Sequence, residues 1–75
     1  MVTETNGRAE PYRAPGRLMR MKDVQRETSL SRATIYRRIA ENSFPSPRPL
    51  GGGRVAWIER DIEDWKNTII QSAAP

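Results

Sequence analysis

Three stretches of this chain carry hydrophobic residues at helical spacing. The pattern predicts helices over about residues 21–28, 32–41 and 59–72. Residues three or four apart lie on the same side of a helix, so each set forms one apolar stripe. The residues expected to face the interior are Met21, Val24, Ile35, Ile39, Ile62, Trp65 and Ile69. We therefore expect three amphipathic helices around one core.

The connections between these helices carry their own signals. Ser29 and Leu30 form a tight link, with Leu30 plugging the turn between the first two helices. Ser31 is a suitable N-cap for the second helix, since its hydroxyl can accept a hydrogen bond from a free amide of the first turn. Prolines at positions 45, 47 and 49 remove three backbone donors. The second helix must therefore end at residues 42–43, and the chain then runs extended.

A β-hairpin is predicted between the second and third helices. The three glycines at 51–53 can take positive φ at its tip. In the strand that follows, Val55 and Trp57 alternate with polar or small residues and are expected on one face. A short strand or extended lead-in is predicted at residues 17–20. The fold class is thus mainly α with a small β-hairpin, the order of a winged helix-turn-helix with three helices plus a wing.

The domain is expected to span residues 17–72. Residues 1–16 contain almost no aliphatic side chains and bury too little to offset the entropy of ordering, which predicts a flexible N-terminal arm. Residues 73–75 are expected to form a disordered tail.

The charge is concentrated in one region of the chain. Of a formal net charge of +4, residues 17–40 hold seven basic against two acidic side chains, and residues 59–75 hold two basic against four acidic ones. A local basic excess on the first two helices favours a polyanionic partner. The chain has no cysteine or histidine, which excludes disulfides and Cys/His zinc sites.

The second helix predicts a face for DNA. With Ile35 and Ile39 turned inward, Arg37 and Ala33 fall on the opposite side. The Arg37 guanidinium can present two parallel donors to O6 and N7 of guanine, and Ala33 lets the backbone approach or meets a thymine methyl. Arg32 lies at the N-terminal end, where recognition helices usually meet bases. We predict Arg32, Ala33 and Arg37 as the base-contacting residues.

Other residues around this face are suited to phosphates. Hydroxyls and cations flank the base-contacting positions, and the hairpin brings a tip without side chains between two arginines. The predicted phosphate contacts are Ser31, Thr34, Tyr36, Arg38, Arg48, Gly52, Gly53 and Arg54.

Several of these residues have structural alternatives. Arg37 and Glu41, four residues apart, can form a helix-stabilising ion pair instead. Tyr36 can pack its ring beneath the wing. Trp57 and Trp65 are expected in the core, the alternative being platforms on which bases stack.

The acidic residues at the start of the third helix are expected to complement its dipole. Asp61, Glu63 and Asp64 are the members of this group, and the alternative is a metal or acid–base site. No nucleophile–base pair is visible, so neither an enzyme nor a cofactor is predicted.

Three blocks in order, "LSRATIYRRI", "FPSP" and "RVAWIERDIEDW", give the chain a family resemblance. From Arg17 to about Ile70 it resembles the AlpA family of phage and prophage regulators, a branch of the MerR/excisionase-like winged-helix proteins. The resemblance implies a regulator that binds double-stranded DNA and acts on transcription of an integrase gene or on excision. The residues that it implies for the DNA-facing helix are Ser31, Arg32, Thr34, Tyr36 and Arg37, with Trp57 and Trp65 in the core.

The sequence therefore predicts a sequence-specific, DNA-binding transcriptional regulator that is cytoplasmic, nucleoid-associated and not bound to a membrane. One alternative is an excisionase-like directionality factor. Another is a protein-interaction module that binds an integrase or a repressor. Copies of the chain are expected on adjacent DNA sites, with the acidic third helix of one meeting the basic second helix of the next.

Overall fold

The computed structural model describes residues 12–73. Within them the elements in chain order are β1 (Leu18–Met19), α1 (Met21–Thr28), α2 (Arg32–Ala40), β2 (Arg48–Gly51), β3 (Arg54–Ile58) and α3 (Glu59–Ala73). This order confirms the mainly α winged helix-turn-helix with its β-hairpin. Residues 1–11 of the predicted arm and residues 74–75 of the predicted tail lie outside the described residues, whereas Ala73 is the last residue of α3.

The described strands form one antiparallel sheet in the order β1-β3-β2. The hairpin strand β3 is central, and it pairs Trp57 with Met19 of β1 and Val55 with Pro49 of β2. The pairing of β2 with β3 is irregular between Pro49 and Gly51, where the strands approach the tip. The lead-in before α1 is thus a third strand that ties the helix-turn-helix to the wing.

The core is built from all three helices and the sheet. Its buried members are Met19, Val24, Ile35, Phe44, Trp57 and Ile62, and the half-buried side chains packed on them are Met21, Leu30, Ile39 and Trp65. The apolar stripes predicted for α1 and α2 are confirmed. The stripe predicted for α3 is wrong at its end, because Ile69 is 43% exposed where the helix continues past the core.

The segment after α2 is fixed to the core by aromatic side chains. Phe44 is buried, although the sequence pattern did not single it out, and its ring meets that of Trp65 edge to face at 4.9 Å between centroids. The indole N–H of Trp57 donates to the carbonyl of Pro45 at 2.9 Å, and that of Trp65 donates to the carbonyl of Ser43 at 3.1 Å. The fully buried Trp57 cannot serve as a stacking platform for bases.

Two residues with positive φ end the first two helices. Ser29, at φ 64°, follows α1, and its N–H donates to the carbonyl of Gln25 at 2.8 Å. Asn42, at φ 61°, follows α2, as expected for a residue type that tolerates the left-handed region. Both turns fall where the sequence placed them.

Alternation in β3 is only partly matched by burial. Trp57 is buried as expected, but Val55, on the same face, is 41% exposed because it lies near the hairpin tip. Ala56 is buried on the opposite face, and its pairing partner on the neighbouring strand β2 is Arg48. The sheet is therefore covered on both sides near its centre and open toward the wing tip.

The start of α3 is capped by the segment that precedes β1. The helix follows β3 without a loop, and its first amides, those of Glu59 and Arg60, donate to the carbonyls of Arg17 (3.0 Å) and Pro15 (2.9 Å). Gly16 lies between, at φ 79°, and a Cβ there would fall 2.8 Å from the Cβ of Glu59. Residues 12–16 of the predicted arm thus carry neither helix nor strand but are hydrogen-bonded to α3.

Candidate nucleic-acid interface

The outward side of α2 is open to solvent. Arg37 and Ala33 are exposed opposite the buried Ile35, as the helical geometry predicts. The alternative ion pair between Arg37 and Glu41 is absent, since no carboxylate of residues 12–73 lies within 4.0 Å of the Arg37 guanidinium. The donors of this side chain are therefore available to a ligand.

Arg32 and Tyr36 form a pair one turn apart on α2. The Arg32 guanidinium carbon lies 5.3 Å from the centroid of the Tyr36 ring, a cation–π distance. Tyr36 is 41% exposed. A cation–π contact uses none of the N–H donors of Arg32, so the pair holds the guanidinium near the N-terminal end of the helix with its hydrogen-bond donors still free.

Ser31 and Thr34 are linked by the N-cap of α2. The Ser31 hydroxyl accepts from the Thr34 amide at 3.2 Å and donates to the Thr34 Oγ1 at 3.0 Å. The predicted cap is thus confirmed. Because the Ser31 proton is directed at Thr34, the Thr34 hydroxyl is the one that retains a proton to donate outward.

The wing presents an open tip and one paired arginine. Gly52 and Gly53 have φ of 61° and 78°, and a Cβ on either would meet nothing within 4 Å. Arg54 is exposed and makes no ion pair among residues 12–73. Arg48 instead contacts Asp61 of α3, with 3.1 Å between Nη2 and Oδ2. Of the wing residues predicted to hold phosphate, Arg48 is the one whose charge is already compensated.

Acidic side chains of α1 and α3 are paired with cations. The Lys66 ammonium bridges Glu27 of α1 and Glu63 of α3 at 2.9 and 3.3 Å, and its hydrogen bond lowers the pKa of Glu27. Arg13 contacts Asp64 at 2.9 Å, which raises the pKa of Arg13. Among residues 12–73, no group of three or more acidic side chains is arranged to hold a metal ion.

Most of the positive charge without a carboxylate partner in residues 12–73 lies in one part of the structure. Six such residues lie on the β1–α1 junction, α1, α2 and the wing, and they are Arg20, Lys22, Arg32, Arg37, Arg38 and Arg54. The seventh is Arg60 of α3, whose guanidinium donates to the backbone carbonyl of Arg13 at 2.9 Å. Exposed ion pairs add little stability. Their effect here is on the electrostatic field of the protein. They neutralise the carboxylates of α3 and leave most of the uncompensated positive charge on the helix-turn-helix and the wing.

The sequence pattern did not single out Arg20. It lines a surface cleft with Arg54 and two aliphatic residues of the wing. The signal that points to it is structural: β1 pairs with β3, so a residue just after β1 lies beside the hairpin.

In the part of the chain that the structure describes, no helix is long and apolar enough to cross a membrane.

Comparison with known proteins gives consistent matches. Residues 17–70 match the family described as prophage CP4-57 regulatory protein (AlpA). An uncharacterized protein, ORF88, of Enterobacteria phage P4 is 39% identical over 49 residues, which are 65% of this chain and 56% of that protein. The DNA-binding transcriptional activator AlpA of Escherichia coli strain K12 is 37% identical over an alignment of 59 positions that covers 71% of this chain and 84% of that protein. The chain thus spans little more than half of the phage protein.

Proposed function

Because the chain belongs to the AlpA family of prophage regulatory proteins, we propose that it is a sequence-specific DNA-binding transcriptional regulator. In this proposal α2 enters the major groove and the hairpin lies on the flanking sugar–phosphate backbone. The observation that carries it is the outward side of α2, where Arg37 stands exposed and unpaired opposite the buried Ile35. A relative described as a DNA-binding transcriptional activator supports the same function.

The DNA contacts proposed for the side chains of α2 follow from their positions on the helix and from the hydrogen-bond donors that they have free. Arg37 reads guanine through its two parallel donors, and Ala33 allows the close approach that this contact needs. Arg32, oriented by the Tyr36 ring, meets bases at the N-terminal end of the helix. Thr34 donates its hydroxyl to a phosphate, while Ser31 acts mainly by capping the helix.

On the backbone side, Arg38 and Arg54 supply charge. Gly52 and Gly53 allow the phosphates to approach the hairpin tip, because no side chain stands in the way. Arg48 joins this surface only by leaving Asp61, and we therefore assign it to holding the wing against α3.

A salt titration with the wild-type chain tests this function. The affinity for duplexes from the neighbouring integrase and attachment region is expected to fall steeply with salt, with a log–log slope of about −0.9 for each phosphate neutralised. Fluorescence anisotropy gives the affinity, a scrambled duplex is the control, and footprinting locates the site. We expect the natural site to be preferred over the scrambled one by at least about tenfold. Absence of DNA binding at low salt would contradict the proposal.

Several copies are proposed to bind adjacent sites, since one domain of this size covers little DNA. Contact between the α3 helix of one copy and the α2 helix of the next has to compete with the pairs that Asp61 and Asp64 already make with Arg48 and Arg13. We expect a complex of more than one copy on a long natural fragment at saturation. Native mass spectrometry measures the stoichiometry, and a monomeric complex under these conditions would contradict adjacent binding.

A second candidate, a protein-interaction module for an integrase or a repressor, is favoured by an open cleft of about 690 Å³ between residues 42–48 and α3. Phe44, Trp65 and the exposed Ile69 supply its apolar lining. The salt titration, combined with a test for capture of the integrase, separates the two candidates. Retained capture of the integrase together with no DNA binding at low salt supports the second.

A further inference from the structure

A shallow cleft lies between the β1–α1 junction and the wing. It has a volume of about 330 Å³ and is lined by Arg20, Leu50, Arg54 and Val55. All four side chains are exposed, Leu50 at 50% and Val55 at 41%. The cleft therefore combines two guanidinium groups with a small aliphatic floor, at a place distinct from the outward side of α2.

Both arginines extend from an ordered backbone. Arg20 follows the buried Met19, its N–H donates to the Asp23 carboxylate at 3.0 Å, and its carbonyl accepts from the Val24 amide at 3.0 Å. Arg54 is the first residue of β3, the central strand of the sheet. The backbone of both arginines is thus held in place by hydrogen bonds, while their long side chains can adjust to a ligand.

The cleft has a charge that nothing on the described surface compensates. None of its lining residues is acidic, and neither arginine makes an ion pair within residues 12–73. The nearby Asp23 accepts from the backbone of Arg20 and lies 3.9 and 3.8 Å from the guanidinium groups of Arg17 and Arg26. Two unpaired cations at one cleft repel each other, and an anion placed between them removes that cost.

The geometry points to a clamp: we propose that Arg20 and Arg54 together bind one phosphate of the DNA backbone beside the wing, with Leu50 and Val55 against the adjoining deoxyribose. A phosphodiester offers two non-bridging oxygens, which share one negative charge, to two guanidinium groups, and the sugar offers C–H surface to the aliphatic floor. This inference rests on the proposed DNA binding. It adds to that proposal one DNA-contacting residue, Arg20, that lies outside both the recognition helix and the hairpin.

Charge-removal variants test the clamp on natural and scrambled duplexes. Arg20→Ala and Arg54→Ala are each expected to weaken binding to both duplexes about fivefold and to make the salt slope shallower by about one. Because the two side chains share one phosphate, the loss in the double variant is expected to be smaller than the product of the single losses. Arg26→Ala on α1 removes the same charge from an exposed side chain outside the cleft and is expected to change the affinity less than about twofold.

Replacing single phosphates of the DNA by neutral methylphosphonates identifies the phosphate that the clamp binds. Methylphosphonate is substituted one position at a time along the footprint, and wild-type affinity is expected to fall at one phosphate on the wing side. Arg20→Ala is expected to lose sensitivity at that same phosphate and to keep it elsewhere. Leu50→Ser, which alters only the aliphatic floor, is expected to weaken binding about twofold without changing the salt slope.

The outcomes separate the clamp from the proposed function. If the wild type binds DNA but Arg20→Ala and Arg20→Gln keep its affinity and salt slope, the clamp is wrong and DNA binding stands. Losses that multiply in the double variant would assign the arginines to separate phosphates and also overturn the clamp. Absence of DNA binding by the wild type at low salt would overturn both. Circular dichroism checks that each variant is folded.

Discussion

Replacing Trp57 by alanine is expected to unfold the domain. The side chain is fully buried at the centre of the core, and its indole N–H is the donor to the Pro45 carbonyl. Truncating a buried tryptophan costs about 3–5 kcal/mol. A single small core rarely supplies more than about 3–5 kcal/mol in total. We expect no cooperative unfolding transition for Trp57→Ala at 25 °C when the change is followed by circular dichroism in urea.

Two control variants divide this loss into its parts. Trp57→Phe keeps most of the apolar surface but leaves the Pro45 carbonyl without its donor, which is expected to cost about 1–3 kcal/mol. Trp65→Ala removes an indole that is only half-buried, and a smaller loss than for Trp57→Ala is expected. A Trp57→Ala variant that unfolds cooperatively within about 1 kcal/mol of the wild type would contradict the central place of this residue.

The helices could be predicted because their spacing is set locally. Ile35 and Ile39 define the inward side of α2 whatever lies beyond it, and the turns at Ser29 and Asn42 depend on the residues beside them. Phe44 was missed for the opposite reason. It lies in irregular chain between helix and hairpin, where no period exists, and its burial depends on Trp65 more than twenty residues later.

The candidate site also combines features that could be predicted from the sequence with features that could not. The exposure of Arg37 follows from the position of Ile35 alone, so the sequence could predict it. The pair between Arg48 and Asp61 joins the hairpin to α3, and the cleft that contains Arg20 exists only because β1 pairs with β3. Residue spacing carries no information on such contacts between distant segments. The basic excess of residues 17–40 was visible in the sequence, but which cations stay unpaired is visible only in the structure.

Arg37→Ala is expected to lower the preference for the natural site about sixfold while leaving the fold intact. A bidentate contact to guanine is worth about 1–3 kcal/mol of discrimination, so affinity for the natural site is expected to fall roughly 30-fold. Affinity for a scrambled duplex is expected to fall only about fivefold, since there the side chain supplies charge alone. Anisotropy titrations on both duplexes measure the difference. The exposed, unpaired side chain leaves unfolding unchanged within about 0.5 kcal/mol.

Two neighbouring variants decide whether the guanidinium reads a base. Arg37→Lys keeps the charge but loses the planar fork. It is expected to bind scrambled DNA like the wild type and to lower the preference for the natural site as much as Arg37→Ala does. Arg38→Ala removes the same charge from the adjacent position and is expected to weaken both duplexes equally, as a phosphate contact does. If Arg37→Ala also weakens both duplexes equally, Arg37 contacts phosphate, and the reading of bases by the side of α2 opposite Ile35 is wrong.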